Sequence, residues 1–506
     1  MDDGHKAEAP AEHFDVLVVG AGISGIGAGY HLQQQCPDMS FVILETFEAF
    51  GGTWWSHRYP GIRSDSDLYT FGYRFKPWVG PPIATAEEIL NYMGEVIADN
   101  DLARHIRYRH RITDAVWSSE ANRWTITAVS DVGEVRFTCG FLYMGQGYYR
   151  QREGFWPKWP GMQDYQGQLV HSEEWTDDID FRGKRVVVIG SGASAATIVP
   201  NMCDDAAHVV MLQRSPTFFR TGRNAIPIAD QLRRLQIDEA WIHEITRKQI
   251  LFEQSTFTET TFSDPEKVRE DLIGEIRKLL GPDYDVDRHF TPRYRPWRQR
   301  IAFVPDADLF ERIAAGDASV VTDEIERFTS DGILLKSGEK LQADMIVAAT
   351  GFNMNTLGDI AFAVDGAPVD FHDTVTYRGM MFTGLPNMVW VFGYFRASWT
   401  LRVDIVCDFV CRLLNYMKGA GVDRVEVALR PEDADMPISE WVSGDNFNPG
   451  YVTRSLHLLP RAGNKPEWQH TQDYWADKDD FPEIDLTGEE FLYDGTRSVR
   501  PGVAAE

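Results

Sequence analysis

Residues 14–25 read FDVLVVGAGISG, an apolar run that passes straight into three closely spaced glycines. A short apolar run bounded by turn residues is a buried strand, and the apolar positions that resume at Ala28 and Leu32 have helical spacing. Strand, glycine turn and helix in this order make a dinucleotide-binding turn. Gly20 permits the tight turn, Gly22 lets the backbone approach a pyrophosphate, and Gly25 lets helix and strand pack closely, with the helix N-terminus facing the anion. The next apolar stretch, SFVILE, ends in Glu45, 25 positions after Gly20. A carboxylate at that offset accepts hydrogen bonds from a ribose diol. Gly51, Gly52, Thr53 and Trp54 follow, and small residues there let the chain approach a bound flavin.

The same pattern returns at RVVVIGSGASAATIVP, where a strand from Arg185 meets Gly190, Gly192 and Ala195, alanine being the tolerated variant of the third glycine. Its second strand, HVVMLQRSP, ends in Gln213, Arg214 and Ser215 where an acid would be expected. A cation at Arg214, with Ser215 beside it, suits the 2′-phosphate of NADPH. Glu45 suits the free ribose of FAD and would repel that phosphate, so FAD is assigned to the first turn and NADPH to the second. Strand-and-turn segments at FLYMGQG (141–147) and KLQADMIVAATGF (340–352) mark crossings between the two units. The expected fold is α/β with two Rossmann-like dinucleotide-binding domains, the NADPH domain inserted in the FAD domain. Its parts are a flexible tail at 1–12, a first FAD-domain part at 13–148, and the NADPH domain at 149–340 with a helical insertion at about 225–285. Residues 341–506 supply the second FAD-domain part and a C-terminal segment.

A chain of 506 residues is long enough for about three packed units at roughly 150 residues each. Acidic residues outnumber basic ones 76 to 50, giving a net charge of −26. A surface of that sign repels nucleic acid and anionic lipid. The first dozen residues lack the basic and apolar regions of a secretory signal. No apolar run reaches the ~18 residues needed to cross a bilayer. These features predict a cytoplasmic protein with reduced cysteines. The 13 histidines show no metal-binding spacing, so no metal is expected. Cys407 and Cys411, four apart in DIVCDFVCRLL, place their Cβ atoms ~5–6 Å apart on a helix, too far for the ~3.8 Å of a disulfide. A flavin disulfide reductase, which needs a redox dithiol, is thereby disfavoured.

Between the glycine turns lies DYQGQLVHSEEWTDD, and here the chain resembles the class B flavoprotein monooxygenases of the Baeyer–Villiger family through Tyr165, Gly167, His171 and Trp175. The family normally has phenylalanine at Tyr165 and proline or aspartate at Thr176. A second match is GGTWWSHRYPGIRSDSD, through Gly52, Trp54, Tyr59, Pro60, Gly61 and Asp65. A third, HFTPRYRPWRQRIAFVPDADLF, is similar to the subgroup that includes the activator of the thioamide drug ethionamide. The resemblance runs from about Phe14 to Pro460. It implies that Arg300 is the active-site arginine, that Asp65 is the acid paired with it, and that His171 is a hinge or positioning residue. Gln299 stands where the family often has a lysine that helps hold the 2′-phosphate.

The resemblance further implies an NADPH- and O2-dependent enzyme that converts ketones to esters or lactones through a flavin peroxide, whose anion a guanidinium stabilises without losing its proton. Oxidation of sulfides at the same centre is expected as well. On residue pattern alone Arg300 belongs to a cluster of arginines between 288 and 300, for which a solvated basic patch is the plainer reading. Two alternatives stay open. One is a flavin-containing monooxygenase or N-hydroxylase acting on soft nitrogen or sulfur nucleophiles. The other is a non-oxygenating NADPH-binding redox regulator, since binding motifs alone do not prove turnover. The aromatic stretch YFRASWTL, 394–401, is a candidate pocket lining or a core stripe.

Overall fold

Glu12–Val19 forms a strand whose last four residues are buried, as a run of β-branched and apolar residues covered on both faces requires. In the computed structural model, which describes residues 11–493, it pairs in parallel with Phe41–Leu44 on one side and Gly133–Met144 on the other. The helix Ile23–Gln35 follows Gly22, completing strand, turn and helix. The expected tail at 1–12 lies almost wholly outside the described residues, and Glu12 already belongs to the strand.

This first sheet has nine strands. The strand Gly133–Met144 pairs antiparallel with Arg123–Ser130, which pairs with Arg111–Ser118. Three of its strands come from far along the chain: Ala361–Val364 beside Arg111–Ser118, Ala367–Pro368 at the edge beyond it, and Met388–Trp390 beside the end of Gly133–Met144. The second sheet is wholly parallel and draws its five strands from 168–348, with Arg185–Ile189 between His208–Gln213 and Met345–Ala348.

Three helices, Pro227–Arg234, Glu239–Ser263 and Pro265–Leu280, form one helical region. Asp238 caps the long one by accepting from the Ala240 amide, and Asp264 accepts from Lys267 with Pro265 in the first turn, the arrangement that satisfies otherwise orphaned amides. Buried Arg247 donates to the carbonyl of Tyr69 at 2.8 Å, so this region is tied to the first sheet's unit. The helix Trp399–Ala420 packs along Ile23–Gln35. It buries Val403, Val406, Phe409, Val410 and Leu413, each worth about 1.5–3 kcal/mol when removed from water. Cys407 and Cys411 are buried free thiols on this helix. No helix among the described residues is long and apolar enough to cross a membrane.

Candidate active site

Both glycine turns open into one cavity of about 1040 Å³. At the first, Gly20 has φ +91° and Gly52 φ +54°, conformations in which a side chain is strained. A Cβ on Gly25 would stand 1.8 Å from the Gly20 carbonyl oxygen. Gly25 therefore serves helix–strand packing and does not line the cavity, whereas Gly20, Gly22, Gly52, Thr53 and Trp54 do. Gly22 and Gly52 face one another, a Cβ on Gly52 reaching 3.2 Å from the Gly22 Cα. Glu45 is buried and accepts from the Ala21 amide at 2.7 Å and the Phe47 amide at 2.8 Å. Burial pushes its carboxyl above the usual range while those amides pull it back. It fixes the turn and also forms part of the cavity wall.

At the second turn Gly190 has φ +143°, and a Cβ there would meet the Ala349 carbonyl oxygen at 2.3 Å. Gly192 has nothing within 4 Å of its Cβ position, open space on the cavity side. Ala195 is fully buried behind the turn. Arg214 and Ser215 are exposed at the cavity mouth, and Arg214 has no carboxylate partner among the described residues. Gln213 turns inward instead, donating to the His289 carbonyl at 2.6 Å and to Thr322 at 2.9 Å.

Between the turns stands Arg300, held by Asp65 through Nε to Oδ2 at 2.8 Å and Nη2 to Oδ1 at 2.6 Å. This two-point geometry is the strong form of an Arg–carboxylate pair. The Asp65 charge drives the guanidinium further above its ordinary value, and its side chain, 42% exposed, reaches the cavity. Around it lie Tyr148 and Tyr451, whose phenols burial pushes up, and Trp399, stacked on Tyr148 at 5.2 Å. Tyr394, Phe395, Ala397 and Trp399 of the 394–401 stretch line the cavity, as does Gln299, while Arg396 does not.

The four fingerprint residues are not at the cavity wall. His171 is fully buried, accepts from the Glu173 amide at Nδ1 (3.1 Å) and lies 3.4 Å from Thr350 Oγ1. Burial lowers its pKa. Gly154 packs against it so closely that a Cβ would stand 1.9 Å from the ring. Tyr165 donates to the Ala343 carbonyl at 3.0 Å, Gly167 backs onto Tyr165 and Asp344, and Trp175 is in the second sheet's core. Of the four, His171 meets segments that join the two sheets, through Gly154 and Thr350, and the other three pack within the second sheet's surroundings. Sequence reasoning missed Tyr148, Tyr451 and His57 on the wall and buried Glu173. Tyr148, His57 and Glu173 lie within or beside quoted motifs, at positions no spacing rule marks. Among the described residues no group of three or more His, Cys, Asp or Glu side chains could hold a metal ion.

The family model described as flavin-binding monooxygenase-like matches residues 79–228, and that of the Thi4 family matches residues 9–58, around the first glycine turn. The chain is 44% identical over 471 residues to the FAD-containing monooxygenase EthA of Mycolicibacterium smegmatis, covering 92% of this chain and 94% of that protein. It is likewise 44% identical over 469 residues to EthA of Mycobacterium tuberculosis, with the same shares covered. Among solved structures it is similar to an oxidised steroid monooxygenase bound to NADP, with TM-score 0.74 and 22% identity over 95% of this chain and 99% of the other. It is also similar to ε-caprolactone-bound cyclohexanone monooxygenase, with TM-score 0.74 and 19% identity over 96% and 100%.

Proposed function

The chain belongs to the FAD-containing monooxygenases typified by EthA, and from that premise we propose that it is a Baeyer–Villiger enzyme, which binds FAD and NADPH and inserts one oxygen atom beside a ketone carbonyl. In balance, ketone, O2, NADPH and a proton give ester or lactone, NADP+ and water. The observation that carries this reading is the two-point Arg300–Asp65 pair on the wall of a cavity shared by two dinucleotide turns.

The residues present fit both cofactors. Gly22 and Gly52 leave a cradle that side chains would fill, and Glu45 lines it. Gly192 leaves open space at the other turn, where Arg214, without a carboxylate partner among the described residues, offers charge to a 2′-phosphate. On this reading residues 13–148 and 341–506, of which 494–506 lie outside the described residues, form the FAD unit and 149–340 the NADPH unit. Reduced flavin supplies the electrons that activate dioxygen. Arg300 cannot surrender its proton at any working pH, so it presents a fixed positive charge to the negative charge that builds on oxygen as it attacks the carbonyl. Charge stabilisation of this kind is the largest single contribution in most such sites. Asp65 holds the guanidinium fork in one plane, and the aromatic wall of Tyr148, Phe395 and Trp399 keeps water away. A sulfide that enters the same space takes oxygen directly, with no carbonyl adduct.

The test is a panel of ketones and sulfides incubated with FAD-loaded protein, NADPH and 18O2. We expect one 18O atom in each ester and each sulfoxide. NADPH consumption that yields only hydrogen peroxide across a broad ketone panel would overturn the ketone reading, and sulfoxide without ester would move the chain to soft nucleophiles.

A further inference from the structure

The helix Trp399–Ala420 presents two faces. Val403, Val406, Val410 and Leu413 belong to the core it shares with Ile23–Gln35. Leu401, Asp404, Ile405, Asp408, Phe409 and Arg412 stand at i, i+3, i+4, i+7, i+8 and i+11, which is one helical stripe. They line a second cavity, of about 270 Å³. The stripe is ~16 Å long at 1.5 Å per residue. The rest of the lining comes from Arg74 and Arg247 and from the segment of Tyr474, Lys478, Phe481 and Pro482. No residue lines both this cavity and the large one.

The charges around it do not pair off. Asp408 accepts from Gln35 at 2.8 Å and from Arg74 at 3.0 Å, Asp404 lies 3.2 Å from His31, and Lys478 donates to Asp479 at 2.6 Å. Arg412 donates to the backbone carbonyls of Phe481, at 2.9 Å, and Pro482, and pairs with no carboxylate among the described residues. Arg247, 5% exposed, gives Nη1 to the Tyr69 carbonyl at 2.8 Å, while its Nη2 stands 3.9 Å from Asp404, beyond hydrogen-bond reach. Two guanidiniums therefore border one cavity without a hydrogen bond to any carboxylate, in a chain whose net charge is −26. A buried cation is costly until an anion meets it, and carbonyl dipoles offset that cost only in part.

The planar fork of arginine matches a carboxylate better than it matches other anions of one charge. Beside the two forks the wall is apolar, formed by Leu401, Ile405, Phe409 and Phe481. The volume falls just below the ~300–1,000 Å³ of sites for drug-sized ligands, which suits a short chain. We propose that this cavity binds a medium-chain organic carboxylate, with its head on Arg247 and Arg412 and its chain along Leu401, Ile405 and Phe409. The inference is independent of the oxygen-transfer reading above.

The experiment uses the FAD-loaded full chain and octanoate. Equilibrium dialysis should show octanoate bound about tenfold more tightly than octanol or octylamine, the effect of one charge-assisted hydrogen bond. Inorganic phosphate at the same concentration should not displace it. Arg412→Met should weaken octanoate by about the same factor, and Arg412→Lys should weaken it less. Ile405→Glu, which sets a like charge against the carboxylate and leaves Arg412 in place, should abolish binding. Flavin absorbance and melting report whether each variant has folded. Because the large cavity also holds an arginine, position is read separately on the wild type. Octanoate bearing a diazirine, irradiated in place and mapped by mass spectrometry, should label peptides spanning 401–412 or 474–482. Octanol as tight as octanoate, displacement by phosphate, full affinity in a folded Arg412→Met, or label confined to the walls of the large cavity would each overturn the inference.

Discussion

Arg300 and Asp65, 235 positions apart in the chain, meet through two parallel hydrogen bonds at 2.8 and 2.6 Å, and the guanidinium is thereby held in one orientation at the cavity wall. Removing the charge should stop oxygen transfer without emptying the flavin site. Arg300→Ala is expected to lower ester yield at least a hundredfold, the usual effect of deleting a donor that faces developing negative charge. NADPH consumption should end in hydrogen peroxide, and Arg300→Lys should recover little because the planar fork is gone. Product analysis beside a peroxide assay reads both. Full ester yield from the alanine variant would mean another cation does the work.

Arg214 should decide the coenzyme. Its exposed guanidinium has no carboxylate partner among the described residues, so Arg214→Ala removes a charge-assisted contact worth ~1.5–3 kcal/mol. That is a tenfold or larger weakening for NADPH, with NADH little changed. Steady-state KM values for the two coenzymes would settle it, and an unaltered preference would refute the assignment.

Two glycines at different places in the two turns, the third of the first turn and the second of the other, should fail differently. In Gly25→Ala the new Cβ would stand 1.8 Å from a backbone oxygen, so the fold should lose ~3 kcal/mol or more and the purified protein much of its flavin. In Gly192→Ala nothing protein-made is in the way, so melting should be unchanged while NADP+ affinity falls. Melting curves, flavin-to-protein absorbance ratios and NADP+ titrations separate the two cases. A Gly25→Ala protein with wild-type melting and flavin content would contradict the packing role.

A buried charge cluster away from the cavity should shape stability against pH. His31 lies 3.2 Å from Asp404 and 3.3 Å from Asp408, with Arg74 bonded to Asp408 and Arg247 3.9 Å from Asp404. Burial alone would lower the His31 pKa, but the two carboxylates outweigh it and raise it from 6.5 to about 9. A folded value above the unfolded one means that the stabilisation is complete below about pH 6.5 and lost as pH rises through about 9. Asp408 is lowered to about 2 despite partial burial, chiefly by its bond to His31, and its share is lost only as pH falls towards 2. On the order of 2 kcal/mol should disappear between pH 6.5 and 9.5, and His31→Gln should flatten that part of the profile. Equal slopes for wild type and variant in denaturant titrations across this window would rule the cluster out.

The glycine turns were readable because their chemistry is local: Gly20, Gly22 and Glu45 fall within 26 positions of one another, and the backbone they need is dictated by neighbouring residues. Arg214 was readable for the same reason. The pairing of Arg300 with Asp65 was not, because no periodicity links positions 235 apart, and only family resemblance singled them out. His57 illustrates the remaining gap. It was quoted inside a motif, yet the carboxylate that it approaches at 3.2 Å, Glu173, lies in another motif, and side chains that meet through tertiary packing leave no pattern along the chain. The fingerprint residues were legible as a group, but the burial of His171 away from the cavity follows from how Gly154 and Thr350 pack on it, which spacing does not encode.

The order of strands in the two sheets also fixes a timetable for synthesis. The parallel sheet is complete once residue 348 has left the ribosome, whereas the nine-stranded sheet waits for Met388–Trp390 and the cavity wall beyond it for Trp399 and Tyr451. Domains generally fold as units while the chain is being made. Here the segment synthesised later closes first, and the earliest strand, Glu12–Val19, must hold its partner Gly133–Met144 with the end of that partner, Leu142–Met144, open on one side for roughly 250 residues of elongation, at ~5–20 residues per second a delay of about 12–50 seconds. Slowing translation between codons 350 and 400 should therefore lower the yield of flavin-loaded protein more than the same slowing placed after codon 460.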